Sequence, residues 1–282
     1  MTNPQRPSIR QQLSAAGLFP KKALGQNFLV DPNHLRRIVA AANLDPSDTV
    51  LEIGPGTGVL TAELINTGAR VIAVEIDRDM QQLLRERFGD DTDRFQLILA
   101  DALDGKHGLN QQLTTALADH PFKMVANLPY QAASPLLINL AAQMPAMTHA
   151  VALIQKEVAD RILAGPGSKT YGILGILLQV SFKADLIGKV PPGCFYPPPK
   201  VDSAVIRLTR SQHPELPLEH LETFAAFLHE VFGHRRKQLG SLLGRDRPWP
   251  QGISPTDRPE QVDINGLIAL YKVGLDPSTQ PD

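Results

Sequence analysis

An α/β fold is predicted from this sequence: a mostly parallel sheet with helices on both faces, closed by an antiparallel hairpin and followed by a small α-helical C-terminal domain. Three observations carry the prediction. Short apolar runs alternate with helix-period segments between residues 49 and 154. A glycine-rich turn, Gly54-Pro55-Gly56-Thr57-Gly58, joins the first such run to the first such helix. Near residues 211–217 the chain turns polar and proline-bearing, and three further helix-period segments follow.

In order along the chain, Thr49–Ile53 reads as the first strand. Residues 57–66 follow as a helix, with Leu60, Leu64 and Ile65 at helical spacing, until Gly68 breaks it. Residues 70–76 form a second buried strand, and Asp77 suits the N-cap of a helix running to Phe88. Residues 95–100 and 122–126 are the third and fourth strands, 134–143 a helix and 149–154 the fifth strand. After Lys156 the rhythm changes: a helix over 156–164, a Gly165-Pro166-Gly167 turn, and an apolar helix over 171–182. Residues 184–190 and 203–208 form the closing hairpin around a loop that holds five of the 24 prolines. Helices over 218–232, 234–243 and 264–273 complete the chain. The expected division is 1–210, a sheet domain with a basic N-terminal segment, and 211–282, a helical domain.

The 282 residues are 43% hydrophobic and 20% charged, a globular composition that argues against wholesale disorder. No apolar run approaches the roughly 20 residues a bilayer demands. Residues 1–10 lack an apolar signal core, so secretion is not expected. The single cysteine, Cys194, excludes an internal disulfide and a Cys-rich zinc site and suits a reducing cytoplasm, the expected location. His107, His120, His149 and His213 show no metal-ligand spacing, and no metal is expected. The net charge of −1 conceals alternation: +5 over 1–40, −7 over 41–150, +4 over 151–210 and −3 over 211–282. Two basic segments can therefore meet a polyanion although the total is near zero.

Gly54 and Gly56 let the backbone approach a ligand at a helix N-terminus. A dinucleotide fingerprint would need its third glycine at position 59, which is Val59, so a nicotinamide dehydrogenase is disfavoured. Glu75, at the end of the second strand, can accept from both hydroxyls of a ribose. Asp101, after the third strand, can accept from an adenine amino group, and Asn127 ends the fourth. Each alone is more often a helix cap or a turn former. Together they stand at consecutive strand ends, where open α/β sheets bind ligands.

Asn127-Leu128-Pro129-Tyr130 suits methylation of an exocyclic base amine. That nitrogen is a poor nucleophile because its lone pair is delocalised into the ring. The Asn127 side-chain oxygen and the Leu128 carbonyl can hold its two hydrogens and turn the lone pair toward a methyl donor. Pro129 fixes the backbone that presents the carbonyl, and Tyr130 offers a stacking face. Positioning then supplies most of the acceleration.

With those residues in place, the chain closely resembles the bacterial small-subunit ribosomal RNA adenine dimethyltransferases. The resemblance covers residues 22–270 and rests on Gly25-Gln26-Asn27-Phe28-Leu29, the 52–58 turn, Glu75-Ile76-Asp77, Asp101-Ala102, Asn127-Leu128-Pro129-Tyr130 and Gln155-Lys156-Glu157-Val158. Further marks are Pro166-Gly167-Ser168-Lys169, the run from Phe195 to Ser203, Arg235-Arg236-Lys237 and Arg258-Pro259-Glu260. It implies a Rossmann-like class I methyltransferase sheet, S-adenosylmethionine as cofactor, and transfer to N6 of two adjacent adenosines near the 3′ end of 16S rRNA in the assembling small subunit. It further implies that Asn27, Leu29, Gly54, Glu75, Asp101 and Asn127 contact the cofactor and that Phe195 flanks the adenine opposite Tyr130. Departures from the family pattern are Gln131-Ala132-Ala133-Ser134, Gly172-Ile173-Leu174-Gly175 and Gln238-Leu239-Gly240.

Lys21, Lys22, Arg161, Lys169, Lys200, Arg207, Arg235, Arg236 and Lys237 are the expected phosphate contacts, the last three because a triad of cations at a helix start opposes the helix dipole unless an anion meets it. A monomer with no membrane partner is expected. The alternatives are a large-subunit rRNA adenine dimethyltransferase, or a non-catalytic ribosome-assembly factor on the same fold.

Overall fold

The computed structural model describes residues 9–89, 92–105, 108–118, 120–211 and 216–275. His107, His213 and residues 212–215 of the expected linker lie outside these. Backbone contacts divide the chain into two units, Met1–Ala159 with Asp185–Thr209, and Asp160–Ala184 with Arg210–Asp282. The division differs from the expected one at residues 160–184, which cluster with the C-terminal helices instead of the sheet.

The first unit starts with α1 (Ile9–Ala15), β1 (Phe28–Leu29) and α2 (Pro32–Ala42). The alternating core follows: β2 (Thr49–Ile53), α3 (Val59–Asn66), β3 (Arg70–Glu75), α4 (Arg78–Phe88) and β4 (Phe95–Leu99). After a small ladder of β5 (Leu103–Asp104) and β6 (Gly108–Leu109) come α5 (Gln111–Leu117), β7 (Phe122–Asn127), α6 (Ala133–Gln143) and β8 (Met147–Gln155). β9 (Phe182–Val190), β10 (Phe195–Tyr196) and β11 (Ser203–Arg210) follow later in the chain.

Among the described residues, seven strands form one sheet in the order β4-β3-β2-β7-β8-β11-β9. The first five run parallel. β11 is antiparallel to β8, with Ser203 opposite Gln155. The expected parallel sheet and its antiparallel closure are both present. The inner strands read as continuous apolar runs because helices cover both faces, so Leu51, Val71, Ala73, Met124 and Val125 have no exposure. Edge strand β9 carries Lys183, Asp185 and Lys189 instead, which blunts its open hydrogen-bonding edge. From β2 the chain moves one way to β3 and β4, and later the other way to β7 and β8. The crevice at the carboxyl ends of β2 and β7 is therefore the topological switch point, where such sheets bind ligands.

Leu35 and Ile38 of α2, Leu60 and Leu64 of α3 and Leu84 of α4 pack on Val50, Val71, Val125 and Val151 in one core, each burial stabilising by about 1.5–3 kcal/mol. α2 is a helix absent from the sequence-based expectation. Asp31 caps it by accepting from the Asn33 and His34 amides (both 2.9 Å), Pro32 opens it, and Asn43 ends it in a left-handed conformation.

The second unit contains the end of α7 (Lys156–Ile162), α8 (Ile173–Ser181), α9 (Leu221–Gly233), α10 (Leu239–Leu243) and α11 (Ile264–Leu275). Tyr171, fully buried, donates its hydroxyl to the Val262 carbonyl (3.1 Å) and sets its ring edge-on to Phe232 (6.0 Å between centroids). Burial raises its phenol above the usual range. Gln179 donates to the Ile162 and Ala164 carbonyls (2.7 and 3.0 Å), which satisfies orphan acceptors at the end of α7.

Two of the departures place a glycine where the backbone or a proline comes close. A Cβ on Gly175 would strike the Arg161 carbonyl, and one on Gly240 would meet Pro255 at 2.8 Å. The helix expected over 234–243 is corrected: α9 ends at Gly233, residues 234–238 form a turn, and α10 begins only at Leu239. Arg235, Arg236 and Lys237 thus follow a helix C-terminus, where the macrodipole favours cations, and do not oppose a dipole at a helix start.

Candidate active site

The glycine turn has a backbone geometry that favours glycine. Gly54, Gly56 and Gly58 have φ of 68°, 56° and 74°. A Cβ on Gly56 would lie 2.6 Å from the Phe28 ring, and one on Gly58 2.6 Å from Phe88. A Cβ on Gly54 would stand 3.6 Å from Pro129, so any side chain there would fill the gap between the glycine turn and the loop after β7.

Two acids lie beneath and beside this turn. Glu52 is 1% exposed, and one of its carboxylate oxygens has no hydrogen-bond partner. Burial pushes its carboxyl up to about 8, and the Glu75 charge adds to the rise. Glu75, at the end of β3, accepts from the Gly56 amide (3.1 Å) and the Asp77 amide (2.9 Å). Burial raises its pKa while those backbone bonds oppose the rise. The two amides fix the carboxylate on the cleft wall. Asp101 lies on the same wall and accepts from the Leu103 amide (3.0 Å).

The N-terminal segment is clamped to the start of α4. Lys21 pairs with Asp77 (2.5 Å) and Asp79 (2.6 Å), and Gln26 donates to Asp77 (2.6 Å). Burial works to raise the Asp77 carboxyl, but the Lys21 and Gln26 hydrogen bonds outweigh it and hold the pKa below the usual value. The clamp delivers Asn27, whose carbonyl accepts from the Asn127 side-chain amide (2.9 Å). With its nitrogen so engaged, Asn127 is left its oxygen as the acceptor on the cleft.

Leu128 is buried and anchored through its amide to the Leu153 carbonyl (3.1 Å). The Pro129 carbonyl accepts from the Ala132 and Ala133 amides (both 3.0 Å), tying the loop to α6. Tyr130 is half-buried, and its hydroxyl lies 2.6 Å from the hydroxyl of fully buried Ser203. Burial raises the Tyr130 phenol, so it stays protonated at neutral pH.

These groups surround an open cleft at the carboxyl ends of the parallel strands, the place where such sheets bind ligands. Asn27, Gly54, Gly56, Glu75, Asp101 and the run from Asn127 to Tyr130 all line it. Leu29 does not. It is buried and lines a smaller adjoining pocket with Glu52 and Thr57. The aromatic wall expected at Phe195 is corrected as well. Phe195 is 3% exposed, pairs with Leu29 across β1 and β10, and packs into the sheet core. Alternation along β10 turns the next residue, Tyr196, to the opposite side with Phe28.

Of the basic candidates, Lys22, Arg161, Lys169, Lys200, Arg236 and Lys237 are exposed. Three are engaged within the protein: Lys21 in the clamp, Arg207 with Asp185 (3.1 Å), and Arg235 with Glu260 (2.5 Å) and the Lys169 carbonyl. Gln26 and Ser203 are site residues that sequence reasoning missed. Both sit inside motifs carrying the resemblance, which was the one signal available for them.

Residues 19–269 match the family described as ribosomal RNA adenine dimethylase. A protein of Syntrophotalea carbinolica named ribosomal RNA small subunit methyltransferase A is 42% identical over 265 residues, 93% of this chain and 91% of its own. Its namesake in Cutibacterium acnes is 38% identical over 282 residues, 94% and 92% of the two chains. The crystal structure of a dimethyladenosine transferase from Plasmodium falciparum is similar with a TM-score of 0.63 at 30% identity, over 77% of this chain and 74% of that one. That of the 23S rRNA methyltransferase ErmE is similar with a TM-score of 0.66 at 26% identity, over 88% and 99%.

Proposed function

The chain belongs to the ribosomal RNA adenine dimethylase family, and we propose that it transfers methyl groups from S-adenosylmethionine to N6 of two adjacent adenosines near the 3′ end of 16S rRNA, yielding N6,N6-dimethyladenosine during small-subunit biogenesis. The observation that supports this most is the bond from the Asn127 amide to the Asn27 carbonyl, which orients the Asn127 oxygen as a hydrogen-bond acceptor.

The cleft suits the cofactor. Glu75, its carboxylate held by two backbone amides, is poised to accept from ribose hydroxyls, and Asp101 from an adenine amino group. The missing side chain at Gly54 keeps open the space between the glycine turn and Pro129. When bound, S-adenosylmethionine supplies an electrophilic methyl on a sulfonium.

This chain's own residues do the rest. The Asn127 oxygen and the Leu128 carbonyl accept the two hydrogens of the target amine, drawing its lone pair out of the ring and toward the donor. Tyr130 stacks on the extruded base, and its bond to Ser203 holds the ring in place. Extrusion costs a few kcal/mol, and one stacked face returns about 1–3 kcal/mol of it. The monomethyl product keeps one hydrogen, so one of the two acceptors suffices for the second transfer. No general base is required, because the proton can leave after the methyl arrives. The acceleration comes from positioning.

Lys22 and Lys200 in the first unit, and Arg161, Lys169, Arg236 and Lys237 in the second, are the phosphate contacts in this reading. Among the described residues no helix is long and apolar enough to cross a membrane. The protein acts as a monomer in the cytoplasm. The test is to incubate it with S-adenosylmethionine and separately purified, undermethylated small and large subunits, then map dimethyladenosine by mass spectrometry. Product on 16S rRNA is expected. Product on the large-subunit rRNA, or none, would overturn the proposal.

A further inference from the structure

We propose that Asp31, His34 and Cys194 form a site for one divalent cation of the zinc class, which clips the segment carrying Asn27 to the proline-rich loop. One oxygen of Asp31, one ring nitrogen of His34 and the Cys194 sulfur all lie within 4.8 Å of one another, and all three residues are half-buried. His34 stands one turn into α2 from Asp31, so helical geometry brings imidazole and carboxylate together. Cys194 arrives through the short β1–β10 ladder: Leu29 pairs with Phe195, and the Val30 amide donates to the Cys194 carbonyl (2.8 Å). Sequence spacing could not show this, because Cys194 lies 160 residues beyond His34.

Among the described residues, the His34 ring and the Cys194 thiol make no competing bond, and Asp31 has a second carboxylate oxygen to offer. Asp31 caps α2 with one oxygen only, and the amides of Asn33 and His34 that bind it there fix the carboxylate's direction. The Cys194 thiol is free. Thiolate, imidazole and carboxylate together select zinc over magnesium or calcium, which take oxygen donors. Tetrahedral zinc with bonds of about 2.0–2.3 Å places its donors roughly 3.3–3.7 Å apart. Closure from the present spacing therefore takes side-chain rotation of about an ångström, and water completes the fourth position. A bound ion would hold residues 28–31 against residues 192–196, and so steady the stretch that directly follows Asn27, the residue that orients Asn127.

The site is tested on the full chain, stripped with a chelator and titrated with Co²⁺, then Zn²⁺. One Co²⁺ per chain with a thiolate-to-cobalt charge-transfer band, displaced by Zn²⁺, is expected. Zn²⁺ should also protect Cys194 from alkylation in the unmodified protein. Cys194→Ser should lose the band, and His34→Gln should weaken binding at least about tenfold. Absence of the band together with unprotected alkylation would overturn the proposal, and so would folded variants that bind Zn²⁺ as tightly as the parent chain. The alkylation result needs no variant, so a misfolded substitution leaves the proposal open to refutation.

Discussion

Replacing Glu52 with Gln should flatten a pH dependence of stability that its carboxyl creates. The side chain is 1% exposed, and burial, reinforced by Glu75, moves its pKa from 4.5 to about 8. An unfolded chain releases this proton near the ordinary carboxylate pKa, whereas the folded chain retains it to higher pH. The stabilising contribution is therefore complete below about pH 4.5 and lost progressively as pH rises through about 8. At about 1.4 kcal/mol per pH unit, that displacement sets a ceiling of roughly 5 kcal/mol; local relaxation and water entry reduce it to a few kcal/mol. Urea midpoints of the parent and Glu52→Gln chains between pH 5 and 9 measure the effect. The parent should weaken with rising pH, and the variant should weaken much less. Glu75, also raised, leaves a residual slope of the same sign in the variant. Parallel pH profiles for the two chains would refute the reasoning.

Gly56→Ala combines a φ of 56° with a Cβ 2.6 Å from the Phe28 ring; it should cost about 1–3 kcal/mol of stability and weaken S-adenosylmethionine binding, measured by thermal melting and calorimetry. Tyr130→Phe should lower the methylation rate modestly by freeing the ring from Ser203, while Tyr130→Ala should lower it by about a hundredfold, since stacking carries the larger share. Arg236→Ala with Lys237→Ala should weaken rRNA binding and reduce the slope of log affinity against log salt by about one for each phosphate no longer neutralised. Arg235→Ala should instead lower thermal stability, because Arg235 is held by Glu260 and the Lys169 carbonyl.

The sheet was legible because its signal is local. Buried strands such as Thr49–Ile53 read as apolar runs, and Asp77 caps its helix through a short-range bond to the Asp79 amide. Glu75, Asp101 and Asn127 were legible because strand ends in such a sheet converge on one crevice. What escaped depends on distant partners. β1 and β10 are two residues each and exist only through pairing with one another, so nothing in either segment announced that Phe195 turns into the core. Arg207, Arg235 and Lys21 look like phosphate contacts in sequence, and only the fold supplies Asp185, Glu260 and Asp77 as their partners. α2 is different: Asp31-Pro32 and the spacing of Leu35, Ile38 and Ala42 are local signals that suffice to place it.

Asn127→Ala offers the most direct test, with single-turnover methyl transfer to undermethylated small subunits measured beside calorimetric binding of S-adenosylmethionine. The predicted result is a rate at least about a hundredfold slower, with cofactor affinity changed less than about tenfold, as expected when a group that orients the reacting amine is lost and the cradle survives. Turnover near that of the parent chain would contradict the assignment of Asn127 as the acceptor that aims the adenine nitrogen.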